Sequence, residues 1–210
     1  MSHCTRFAFS YQDEALAVQC FRRLGLEPST DVVCNYDSEF AKSFLSRLGY
    51  AGSSQRRALI AAAHGYQYFL CKEGDEYKLY MEKPGTLSGA DIDAMRDMEA
   101  EFRLTYVQLA LEQLAERLEA QGMPTRFVRE QASLTLQFGP AFDRAVKMTL
   151  AGGEHIDEEV SGVSGPSCAD LTAELENLLS LESSELTTSW KAEYRQEIDD
   201  EVVQVLRLQS

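Results

Sequence analysis

The residues with the types and spacing for chemistry gather in the C-terminal third of the chain. Gly162-Val163-Ser164-Gly165-Pro166-Ser167-Cys168 places a serine and a cysteine just after two glycines. Either could act as a nucleophile, which needs a base within hydrogen-bond reach. The nearest histidine along the chain is His155, and two antiparallel strands could bring it close. A simpler use is structural. Ser167 and Asp170 have capping-box spacing, in which each side chain satisfies a free backbone N–H at a helix start. A third use is anion binding, because N–H groups at a helix N-terminus face outward. Capping is the leading reading. Gly162, Gly165, Ser167 and Cys168 are therefore candidate binding residues, and no catalytic residue is assigned.

Other groups are weaker candidates. His64 precedes Gly65, where a cation would favour a helix C-terminus. His3 and Cys4 adjoin, but two ligands do not make a zinc site. Tyr66, Tyr68, Phe69, Tyr77 and Tyr80 could stack a planar ligand, although cross-strand packing is the commoner use of such a set. Glu154, Asp157, Glu158 and Glu159 lack the alternating oxygens and central glycine of an EF-hand loop. They read as a solvated strand edge whose charges discourage edge pairing. The five cysteines are scattered with no C-x-x-C pair, as a reducing compartment permits. Neither a metal nor a cofactor is expected.

The elements that would position these residues follow from periodicity. Arg6–Ser10 alternates as a strand, Ser10 and Asp13 form a capping box, and a helix runs to a stop at Gly25. Residues 31–35 read as a short strand. Residues 37–64 read as two short helices, the second passing through the alanines at 61–63. Residues 66–82 form a hairpin about Glu73-Gly74-Asp75. Ser88 and Asp91 open a long helix, or two stacked ones, to Gly122. Residues 126–130 and 133–138 form a strand pair. Gly139-Pro140 reads as a domain boundary. Beyond it Val146, Met148 and Leu150 alternate, Gly152-Gly153 turns, and residues 155–163 return as a strand. Leu171, Leu175, Leu178 and Leu179 line a helix. Residues 185–194 are polar and aromatic, and residues 196–208 suit either an acidic helix or a terminal strand.

An apolar share of 44% and a charged share of 26% are those of a folded globular chain. No run approaches the length of a membrane helix, and the N-terminus lacks the order of a signal peptide; the expected address is the cytoplasm, or a plastid stroma for an organellar gene. The formal charge is −14, and residues 145–210 carry 14 acidic against 4 basic side chains. Such a surface repels phosphate backbones and anionic lipid, so neither nucleic acid nor membrane is an expected partner.

Met1-Ser2-His3, the first strand and the helix ending in Leu-Gly resemble domain of unknown function 1257, a family that includes a cyanobacterial and plastid reading frame. Leu104-Thr105-Tyr106 through Gly122 and on to Phe138 is similar to the C-terminal half of that family. Residues 36–64 look like an insertion, and Glu82-Lys83-Pro84 stands where the family usually carries a tryptophan. The tail resembles domain of unknown function 2997, through the Gly162–Cys168 turn, Leu171-Thr172-Ala173-Glu174-Leu175-Glu176 and Glu193-Tyr194. These families are often encoded beside a MoxR-type AAA+ ATPase or a ferredoxin, and the resemblance implies a partner of that kind.

The expected fold is α+β, in two small modules, 1–140 and 145–210, each a short antiparallel sheet packed with helices. The expected function is a non-enzymatic adaptor for an AAA+ ATPase or redox protein. The alternative is a small-molecule or anion-binding protein, or a weak enzyme, using the turn 162–168.

Overall fold

A computed structural model describes residues 3–28, 58–63, 65–73, 75–83, 86–151, 155–163, 167–179 and 187–190. Among the described residues the fold is α+β with two antiparallel sheets, of three and six strands. The chain divides into two compact units, one of residues Ser10–Leu109 and the other of Met1–Phe9 with Ala110–Ser210.

In the first unit, helix α1 (Glu14–Arg23) opens at Asp13, whose carboxylate accepts the Leu16 N–H at 2.9 Å. The cap is thus Asp13 and not Ser10, whose hydroxyl instead accepts from the Gln12 side chain at 2.5 Å. A distant residue sets this start. The Tyr106 hydroxyl accepts the N–H groups of Gln12 at 3.1 Å and Asp13 at 2.8 Å, so these donors are satisfied before the helix begins. The helix closes as the glycine predicts. Gly25 takes φ +74°, its N–H bonds to Arg22 O, and the Leu26 N–H bonds to Phe21 O, the paired bonds of a Schellman motif.

Strands β2 (Ala58–Ala63), β3 (Tyr66–Glu73) and β4 (Glu76–Glu82) lie in that order in the three-stranded sheet. The β3–β4 hairpin is the expected one, with Glu73 opposite Glu76. The alanine run is a correction: residues 58–63 form a strand, where their composition favours a helix. Alanine's helical preference is worth a few tenths of a kcal/mol per residue. Six positions paired to β3, with Leu59 opposite Leu70 and Ile60 opposite Phe69, outweigh it. The short strand at 31–35 and the helix over 37–49 lie outside the described residues. Tyr11, Phe21, Phe102 and Tyr106 pack edge to face at centroid distances of 4.8–5.4 Å, a geometry that aromatic quadrupoles favour.

Helix α2 (Gly89–Ala120) is a single helix of 32 residues. Its Ser88–Asp91 box is closed in both directions, since the Ser88 Oγ accepts from Asp91 N and the Asp91 carboxylate accepts from Ser88 N. It ends in a second Schellman motif, with Gly122 N–H to Glu119 O and Met123 N–H to Leu118 O. Ile92 is exposed, whereas Phe102, Tyr106, Val107, Leu109, Leu111, Leu114 and Leu118 are buried.

In the second unit, β1 (His3–Ala8), β5 (Thr125–Glu130), β6 (Ser133–Phe138), β7 (Arg144–Ala151), β8 (His155–Ser161) and β9 (Thr187–Trp190) form a sheet of order β5-β6-β7-β8-β1-β9. Helix α3 (Ser167–Leu179) belongs to the same unit. Leu134, Leu136, Val146, Met148, Ile156 and Val160 are buried, and their register places them on one face. Gly139-Pro140 does not separate modules. β6 pairs with β7 along six residues across that turn, because Leu134 and Leu136 share one apolar face with Met148 and Val146. The N-terminal strand, read as part of an N-terminal module, lies between β8 and β9. Residues 196–208 lie outside the described residues.

Candidate functional site

The turn that looked most chemical begins where β8 ends. Gly162 has φ +72°, a conformation costly to residues with a Cβ. A Cβ placed there would stand 2.2 Å from the backbone oxygen of Asp143. Glycine is thus required twice, by dihedral and by close approach. Gly165 lies outside the described residues. Ser167 and Cys168 are the first two residues of α3, so Ser167 lies one position inside the place of an N-cap, and their side chains lie outside what is described. His155 is exposed at the opposite end of β8 from Gly162, about 20 Å away along an extended strand. A nucleophile at the turn would have to meet its base across that length.

The acid-rich strand is corrected in one respect. β8 is an inner strand of the sheet, with β7 and β1 as neighbours, and Glu158 is fully buried. Alternation is the reason: Ile156, Glu158 and Val160 share the core face, whereas Asp157 and Glu159 point the other way. Glu159 is opposite Lys147, and Asp157 is opposite Arg6, an arrangement that avoids like charges across strands. The signal was present in the sequence, since two apolar residues four apart put the residue midway on their own face. Thr172, on α3, is a second fully buried polar residue of this unit. Its Oγ1 has no hydrogen-bond partner among the described residues.

The first unit contains a denser polar cluster about Asp91. Its Oδ1 accepts from Lys83 Nζ at 2.5 Å and from the Tyr66 hydroxyl at 2.8 Å, and its Oδ2 accepts from Ser88 N at 2.9 Å and Ser88 Oγ at 2.7 Å. The Lys83 ammonium, then the Ser88 and Tyr66 donors, hold the carboxyl well below the usual carboxylate range. The same carboxylate raises both Lys83 and Tyr66. Spacing identified Asp91 as a cap, but Tyr66 and Lys83 reach it only through the tertiary fold. Tyr66 and Lys83 tie the hairpin and its end to the start of α2, and the two Ser88 donors close the helix cap, so the cluster is structural. Tyr66 and Tyr77 also hydrogen-bond to carboxylates, of Asp91 and Glu14, and Tyr68 and Phe69 are buried. The aromatic run is therefore packing and tethering.

Cys20 is buried, with its thiol donating to Phe102 O at 3.2 Å. Burial pushes this thiol well above the ordinary range, the opposite of what activates a cysteine. Among the described residues no three His, Cys, Asp or Glu side chains converge to hold a metal ion. No helix among them is long and apolar enough to cross a membrane.

Comparison with known proteins adds one match. The model of a family described as Protein of unknown function (DUF2997) matches residues 155–195. No curated protein matches the chain. The matched segment holds β8, the Gly162 turn, α3 and β9. Its two strands are not neighbours, because β1 from the start of the chain runs between them. This C-terminal segment is therefore similar to DUF2997, as its glycine turn and helix predict.

Proposed function

We propose that this protein is a non-enzymatic adaptor whose acidic C-terminal segment binds a partner protein through a basic surface. Charge carries the reading. Residues 145–210 contain 14 acidic and 4 basic side chains, and the segment matched by the DUF2997 model lies wholly within them. A field of that sign steers basic partners and speeds encounter. The chemical-looking turn has a sufficient account as a close-packed glycine followed by a helix start, which leaves recognition as the better-supported use. The partner class proposed here, an AAA+ ATPase or a ferredoxin-like redox protein, is the one implied by the sequence resemblances to domains of unknown function 1257 and 2997.

The test is affinity capture from native extract with the tagged full chain. The expected result is an ATPase or redox protein, released as salt is raised toward about 0.5 M, where screening shortens to a few Å. Capture of neither class, or binding indifferent to salt, overturns the reading.

A further inference from the structure

β5 is the open edge of the six-stranded sheet, with β6 on one side and no second neighbour among the described residues. Arg126 through Glu130 are all exposed, including Phe127 at 39% and Val128 at 37%. Phe127 is paired with Leu136, so it stands on the face that buries Leu134 and Leu136 one strand further in. The apolar face of the sheet thus continues to its last strand and stays open to solvent there. Edge strands are usually guarded by charged side chains, proline or a bulge. β5 has no proline and its pairing with β6 is unbroken over six positions; its charges, Arg126, Arg129 and Glu130, are of both signs, so they repel a second strand in most registers but match it in one.

We propose that β5 pairs with the β5 of a second copy of this chain, antiparallel about a two-fold axis at Val128, so that two sheets become one. The charges of the strand select this register. A two-fold axis normal to the sheet keeps each face on its own side, so facing residues stand equally far on either side of the centre. With Val128 at the centre, Arg126 faces Glu130 of the second copy, and Glu130 faces its Arg126. Phe127 faces Arg129, which suits a cation over a ring. Centring on Arg126, Arg129 or Glu130 sets like charges directly opposite, and centring on Phe127 leaves Arg126 against valine. Only the Val128 register pairs both opposite charges across the strands.

The backbone agrees. The loop Gln131-Ala132 has two residues, so Glu130 and Ser133 close it as a hydrogen-bonded pair. The N–H and C=O groups of Phe127 and Arg129 then point to the open edge. These are the two residues that this register sets opposite each other. Within one chain Glu130 lies 3.6 Å from Lys147, and Arg126 Nε lies 2.6 Å from Gln137 Oε1. Both contacts are exposed and the ion pair is accordingly weak; with the Arg126 guanidinium 4.6 Å from the Phe142 ring centroid, they hold the side chains over their own sheet, and pairing with a second copy exchanges them for contacts across the edge.

The test is sedimentation of the full chain against concentration. The expected result is a reversible dimer of the 23.5 kDa chain. Arg126→Glu or Glu130→Arg alone places like charges opposite at two symmetric positions, and each weakens association about tenfold. The double variant Arg126→Glu/Glu130→Arg restores it, which separates lost pairing from lost folding. Val128→Cys, on oxidation, gives a covalent dimer that the parent chain does not form, because a non-hydrogen-bonded pair brings Cα atoms within disulfide reach. A monomer at the highest soluble concentration overturns the proposal. So does a dimer unaffected by the single changes or not restored by the double one.

Discussion

Asp91 has four donors on one carboxylate, and its behaviour in acid follows from them. Its folded-state pKa is depressed, below an unfolded value of about 3.9. The stability it contributes is therefore present above the unfolded value and is lost as pH falls toward the folded one. Asp91→Asn removes that dependence. Urea midpoints measured from pH 7 down to pH 3 are expected to fall more steeply for the parent than for the variant, the two curves converging in acid; parallel curves would refute this account. Tyr106 makes a different kind of point. Its hydroxyl is the acceptor for two backbone N–H groups ahead of α1. Tyr106→Phe leaves the ring in place and strips both donors of their partner. A loss of about 1–3 kcal/mol in urea unfolding is expected, and a loss below about 0.5 kcal/mol would show that the donors had found other acceptors.

The two chain reversals at Gly122 and Gly162 look alike by dihedral, with φ +80° and +72°, but differ in what surrounds them. A Cβ on Gly122 meets nothing within 4 Å, whereas one on Gly162 meets the Asp143 backbone. Gly122→Ala is expected to cost about 1–2 kcal/mol. Gly122→Asn should cost less, because asparagine tolerates this region. At Gly162 the same exchange cannot help. Both Gly162→Ala and Gly162→Asn are expected to lose more than about 3 kcal/mol, read from denaturant midpoints. Recovery with asparagine at 162 would mean that dihedral strain alone explains the position. Element types were legible wherever local signals agreed with packing: the β3–β4 hairpin, the helix stops at Gly25 and Gly122 and the Ser88–Asp91 box. They misled at Ala58–Ala63, where local propensity favours a helix and pairing with β3 decides for a strand.

At the scale of the whole molecule, the N-terminal strand is the piece that local reasoning misplaced. β1 pairs with β8 along six residues and with β9 along four, so the segment matched by the DUF2997 model has a strand from the start of the chain in its middle. Deleting residues 1–9 is expected to strip protection from the amides of β8 in hydrogen exchange, with β3 of the other unit as the internal reference. Unchanged protection in β8 would mean that β8 and β9 close on each other without β1. Expression of 1–140 and 145–210 as separate pieces would also cut β6 from β7, so those fragments do not correspond to the compact units.

By itself the sequence determined the α+β class, most of the described strands and helices, the helix stops at Gly25 and Gly122 and the uneven acidity. Each of these depends on residues within a few positions of one another, or on composition alone. Tertiary structure decided the rest. It buried Glu158, brought Tyr66 and Lys83 to Asp91, placed the Tyr106 hydroxyl at the start of α1 and inserted β1 between β8 and β9. The reason is sequence separation. Strand order and side-chain contacts join residues tens to more than a hundred positions apart, and periodicity reports which face of a strand is apolar but not which strand will lie beside it. The Gly162–Cys168 turn combines both kinds of information. Its glycines and serine were visible in the sequence, but the closeness of the Asp143 backbone, which requires glycine at 162, exists only once β6 and β7 are folded against β8.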